Sequence, residues 1–117
     1  MYRFTPQKDE KVRKKGLAGM HVDRESLSGA LYLTNQRLLF VGYIHGNVYV
    51  NEKSISLKQI REVRGGKTFF IIPNELNVTT DGNEHIRFIV HERNEWLASI
   101  RAELALAGRM QSPAEGA

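Results

Sequence analysis

The chain contains no cysteine. That absence removes disulfide scaffolds, thiol nucleophiles and cysteine-ligated zinc together. Nor does any apolar run approach the roughly 20 residues of a membrane-spanning helix, and the segment from Met1 to Glu10 lacks the apolar stretch of a signal peptide. The expected location is therefore the cytoplasm, with any membrane association peripheral. Nucleophile elbows, P-loops and dinucleotide fingerprints are missing too. Gly65-Gly66-Lys67-Thr68 matches only the end of a P-loop, without its first glycine, and leads into a strand. His21, His45, His85 and His91 are scattered without metal-ligand spacing, and the carboxylates offer no acid/base pair. The expectation is a protein that is not an enzyme and uses neither metal nor cofactor.

What is present is an ordinary globular composition: 117 residues, 41% hydrophobic and 26% charged. That is one domain, large enough for a single core without staples. The formal charge is +4 with a pI near 9.6, which permits an anionic partner without requiring one.

The stretch from Gly29 to Gly42 organises the rest. It reads as two apolar strands joined at Asn35-Gln36, with Asn tolerating the positive φ of a tight hairpin turn. A two-residue loop places Leu33 opposite Leu38, Tyr32 opposite Leu39 and Leu31 opposite Phe40. Leu31, Leu33, Leu38 and Phe40 then share a core face, while Tyr32, Thr34, Arg37, Leu39 and Val41 share a mixed one. Before it, residues 11–22 read as a strand bulged at a glycine, and 23–28 as a loop. After it come a breaker at 43–47, a strand or two interrupted near Asn51-Glu52, inward residues Ile55, Leu57, Ile60 and Val63, and a break at Gly65-Gly66. The apolar run 69–72 reads as a strand covered on both sides, ended or edged by Pro73. Leu76 to Val90 forms a second hairpin with the three-residue loop Asp81-Gly82-Asn83, pairing Val78 with Ile86 and Leu76 with Phe88. The period then becomes helical: Trp96, Leu97, Ile100, Leu104 and Ala107 form one stripe, with Asn94 as the expected N-cap and Gly108 as the stop. Residues 1–10 form a lead-in, 11–108 the domain and 109–117 a flexible tail. The fold class is mainly β with one C-terminal helix.

Gly29-Ala-Leu-Tyr-Leu-Thr-Asn-Gln-Arg-Leu-Leu-Phe40 resembles the central signature of GRAM domains, in the pleckstrin-homology-like superfamily. The likeness continues through Ile55 to Val63, Leu76 to Gly82, Ile86 to Val90 and Glu95-Trp-Leu97. The resemblance implies a bent antiparallel barrel or sandwich of about seven strands capped by the helix, in a small member of bacterial type. It also implies a binding module for membrane lipids or proteins. Lipid-binding relatives gather Lys and Arg near the loop joining their first two strands. Here that loop, near His21 to Leu27, places Arg24 between Asp23 and Glu25, and the next, Tyr43 to Asn47, has no Lys or Arg. An inositol-phosphate site at that mouth is not expected.

The basic residues suggest another surface. Lys11, Arg13, Lys14 and Lys15, with Lys8 nearby, form one cluster; Arg61, Arg64 and Lys67, with Lys58, form a second, diluted by Glu62. Each is either a charged edge that resists aggregation or a patch for an anionic membrane surface or an acidic protein. The main alternative is protein–protein interaction or self-association as a homo-oligomer. Tyr2, Tyr43 and Tyr49 are candidate surface aromatics, but no stacking motif points to nucleic acid. Arg37 is expected to pair with a carboxylate or bond loop carbonyls, and Trp96 to plug the end of the barrel.

Overall fold

The computed structural model describes residues 4–22, 25–43, 50–69 and 71–108. The expected loop at 44–47, Tyr2, Tyr49 and the tail 109–117 lie outside them. Seven strands are followed by one helix: β1 (Val12–Val22), β2 (Glu25–Thr34), β3 (Arg37–Tyr43), β4 (Val50–Ser56), a 3-10 turn (Leu57–Gln59), β5 (Ile60–Thr68), β6 (Ile72–Thr80), β7 (His85–Val90) and α1 (Arg93–Leu106). They form one antiparallel sheet in the order β4-β3-β2-β1-β7-β6-β5. The sheet curls into a half-barrel: β3 and β7 are separated by two strands, yet the rings of Phe40 and Phe88 lie 6.1 Å apart across the interior.

Both hairpins have the register that their alternation demands. Leu33 faces Leu38, Tyr32 faces Leu39 and Leu31 faces Phe40; Val78 faces Ile86 and Leu76 faces Phe88. Close approach explains the glycines that bound the first hairpin. Gly29 and Gly42 pair across β2 and β3. A Cβ at Gly29 would run into the Val41 carbonyl oxygen and lie 2.7 Å from the Gly42 Cα, and one at Gly42 would lie 2.6 Å from the Phe40 ring.

Several local expectations are corrected. The bulge in β1 falls between Val12 and Lys14 and not at a glycine. Residues 25–28 belong to β2, and β4 runs unbroken through Asn51 and Glu52, because neighbouring strands supply ladder bonds that outweigh their polar composition. Gly65 and Gly66 lie inside β5, where the missing side chain at Gly65 makes room for the guanidinium of Arg93. The helix begins after Glu92, itself at φ 55, so Asn94 sits in the first turn instead of capping it. Asn35 keeps an ordinary φ. Its side chain instead accepts from the Lys11 amide at 2.7 Å and donates to the Asp9 carbonyl at 3.1 Å, fastening the lead-in to the turn.

That fastening centres on a buried ion pair. Arg37 meets Glu10 through Nε–Oε2 at 2.8 Å and Nη2–Oε1 at 3.1 Å, and the Glu10 side chain has no exposed surface. Burial pushes the carboxyl up, but Arg37, the Gln7 amide and the Thr34 hydroxyl all donate to it, and the Arg37 charge adds to them. The balance holds Glu10 at about 2 instead of the ordinary 4.5. Phe4 lies 4.8 Å from the Tyr32 ring, so the lead-in lies over the mixed face of the first hairpin.

Helix α1 fills the end of the half-barrel, chiefly against β5 and β6. Trp96 is 3% exposed, Ile100 and Leu104 are fully buried, and Gly108 at φ 83 ends the helix. Trp96→Ala is expected to lower stability by roughly 3–5 kcal/mol in chemical denaturation; a loss under about 1 kcal/mol, the surface range, would contradict the plug. A second prediction concerns acid. Because its carboxyl is depressed in the fold, Glu10 stabilises the protein fully above about 4.5 and loses that contribution as the pH falls through 4.5 toward 2. Glu10→Gln should be less stable than wild type at neutral pH and should approach it in that acid window. Parallel pH profiles of the two proteins would contradict the pairing.

Candidate functional site

The seven cationic candidates do not converge on one cavity. Lys14 faces the core side of β1, opposite Leu33, where its ammonium lies 5.3 Å from the centre of the Trp96 ring and 3.6 Å from the Glu95 carboxylate. Arg13, at the bulge, reaches Glu103 at 3.5 Å. Both are engaged by α1. On β5, Arg64 pairs with Glu62 at 2.5 Å, and Arg61 is exposed but has a partner of its own. Lys11, Lys15 and Lys67 are exposed and have no ion-pair partner among the described residues. The charge is thus distributed, with three positions open to an external anion.

Two of those lysines border a surface that the sequence reading did not anticipate. The described residues of the run 69–72 do not form a strand covered on both sides. Phe69 and Ile71 lie between β5 and β6, where the Ile71 amide donates to the Thr68 carbonyl at 3.1 Å, and Ile72 opens β6. Phe69 is 80% exposed, Ile71 76% and Ile72 48%. The reason is geometric. The pairing of β6 with β7 stops at Glu75–Ile89, so Ile72 and Pro73 extend past the end of β7 and have no β7 partner. Pro73, which lacks a donor, suits such an overhang.

Next to the overhang, the outer face of the sheet has two adjoining grooves of about 470 and 480 Å3 that share Asn74 and Ile89. The first is lined by Leu17, Ile72 and His91; the second by Lys67, Phe69, Glu75 and Arg87. Leu17 is 69% exposed and lies two residues after Lys15 on the same face of β1. Glu75 and Arg87 stand 3.8 Å apart and offset each other. The signal that could have revealed this end was the placement of an apolar run between Lys67 and Pro73, in the only stretch available to turn β5 into β6.

Among the described histidines, His91 lines the first groove and His21 the second, and His21 and His85 are hydrogen-bonded within the sheet. His21 Nδ1 lies 2.7 Å from the Ser26 hydroxyl and His85 Nδ1 3.1 Å from that of Thr79. No group of three potential metal ligands occurs among the described residues, and no described helix is long and apolar enough to cross a membrane. Residues 23–24 and 44–49, on which much of the expectation of no inositol-phosphate site falls, lie outside the described residues.

Comparison with solved structures identifies the architecture. The C-terminal domain of an unknown protein from Leishmania infantum superposes with a TM-score of 0.71 at 16% identity, covering 84% of this chain and 87% of that one. The N-terminal PH domain of Vps36 gives 0.68 at 14% identity, over 88% and 85%. The PH domain of Slm1, solved in complex with phosphoserine, gives 0.62 at 12% identity, over 80% and 96%. At these identities the likeness establishes the fold alone, and the fold is pleckstrin-homology-like. A search of curated proteins finds no match. The GRAM domain model matches residues 2–107, nearly the full length, and the chain belongs to the GRAM domain family.

Proposed function

We propose that the protein is a non-catalytic, peripheral membrane-binding module of the cytoplasm that recognises anionic lipid through distributed surface charge and not through a headgroup-specific pocket. The observation that carries this reading is the state of the lysines. Lys11, Lys15 and Lys67 are exposed without carboxylate partners among the described residues, and they do not line a common cavity. Arg13, Lys14 and Arg64 contribute less, since each already faces a carboxylate. The likeness to a PH domain solved with phosphoserine is compatible with an anionic ligand.

A lysine near an anionic surface contributes on the order of 1 kcal/mol, and salt weakens that contribution within a Debye length. Co-sedimentation should therefore show binding to vesicles containing phosphatidylserine, little binding to neutral phosphatidylcholine vesicles, and a steady loss as salt rises. Replacing Lys11, Lys15 and Lys67 together by alanine should weaken binding by about 100-fold at low salt. Equal binding to both vesicles, or indifference to salt, would overturn the reading, as would strong preference for one soluble inositol phosphate.

A further inference from the structure

We infer that the turn joining β5 and β6 is a membrane-inserting tip: Phe69, Ile71 and Ile72 enter the boundary between headgroups and acyl chains of an anionic bilayer, while Lys15 and Lys67 meet lipid phosphates beside them. This rests on the proposed peripheral membrane function and adds to it the surface and the mode of attachment.

The tip is apolar where a solvated turn would be polar. Three large hydrophobic residues, Phe69, Ile71 and Ile72, are exposed within four positions at the end of this hairpin, and Leu17 is exposed in the groove that Ile72 also lines. An exposed contiguous apolar surface marks an interaction site. Phe69 also adopts φ 53, a conformation that costs free energy for a bulky residue and is seldom found without cause.

Shape and charge select the bilayer as occupant. The apolar residues form a protrusion, which suits insertion into a soft interface better than docking in a rigid cleft. Lys67 lies two residues before Phe69 on the hairpin, and Lys15 lies two before Leu17 on the same face of β1. Both charges are positive and open, so anionic phosphates at the rim would complement them while the apolar chains enter below. A second copy of this chain, docked tip to tip, would bring like charges together. The carboxylate of Glu75, which would oppose an anionic surface, is offset by Arg87 at 3.8 Å.

The test compares wild type with two double variants, Phe69→Ser with Ile71→Ser and Lys15→Ala with Lys67→Ala, on phosphatidylcholine vesicles with and without phosphatidylserine across a salt series. All four positions are exposed, and chemical denaturation verifies that each variant folds. The expected result is that wild type binds the anionic vesicles and the tip variant loses about 10- to 100-fold at every salt concentration. The lysine variant should lose affinity mainly at low salt. If wild type binds and the tip variant binds equally well, the inserting tip is wrong and the membrane function stands. If wild type binds neither vesicle, both fall. If light scattering shows a dimer that the tip substitutions dissociate, with vesicle binding unchanged, the tip is an interface between copies and the inference is overturned.

Discussion

A sheet curled on itself leaves an end that must be filled, and the helix that fills it constrains most of the remaining architecture. Trp96, Ile100 and Leu104 enter the space between the two halves of the sheet, and the indole lies beside Gly16 on β1. The same helix engages charge as well as apolar surface. Glu95 and Glu103 face Lys14 and Arg13, which removes two cations of the N-terminal cluster from the pool available to a ligand. At its start, Arg93 lies over Gly65 and donates to the carbonyls of Gly66 at 2.9 Å and Glu75 at 3.3 Å. Helix position and the β5–β6 hairpin are thus coupled through backbone hydrogen bonds.

That coupling gives the overhang its meaning. A hairpin that extends past its neighbour would ordinarily be a loose end, yet this one is braced at its base by Arg93 and tied across by the Thr68 hydroxyl to Asn74 at 2.7 Å. The apolar residues beyond the brace are presented on a stiffened support. The opposite side of the molecule is closed differently: Glu10, Arg37, Thr34 and Asn35 hold the lead-in over the outer face of the first hairpin. There the apolar outer residues Leu39 and Val41 are fully buried. One outer face is therefore covered by the chain itself, and the other, at Leu17, Phe69, Ile71 and Ile72, is left open.

How much of this was legible in the sequence depends on how local the cause is. Strict alternation on both sides of Asn35-Gln36 and of Asp81-Gly82-Asn83 specified two registers correctly, because a one-residue slip would have turned every apolar side chain outward. The helical stripe from Trp96 to Ala107 was equally clear. Four apolar residues in succession carry no period, so the run 69–72 could not be distinguished from a covered strand, and the exposure of Phe69, Ile71 and Ile72 depends on where the neighbouring strand stops. The Glu10–Arg37 pair spans 27 residues and was foreseen only from one side, as a carboxylate for Arg37. The basic clusters were visible as composition, but which cations remain open depends on the carboxylates of α1, far away in the chain.

The central claim is that this open apolar end is the surface that meets a membrane, and depth is what tests it most directly. The chain has no native cysteine, so a nitroxide on Ile71→Cys reports one site, and a second on Gly82→Cys, in the turn at the other end of β6, serves as reference. On adding vesicles containing phosphatidylserine, the label at position 71 should gain collisions with oxygen and lose collisions with a water-soluble nickel chelate, while the label at position 82 remains in water. A label at position 71 that stays as accessible to nickel as in solution, while the protein is bound, would contradict the account.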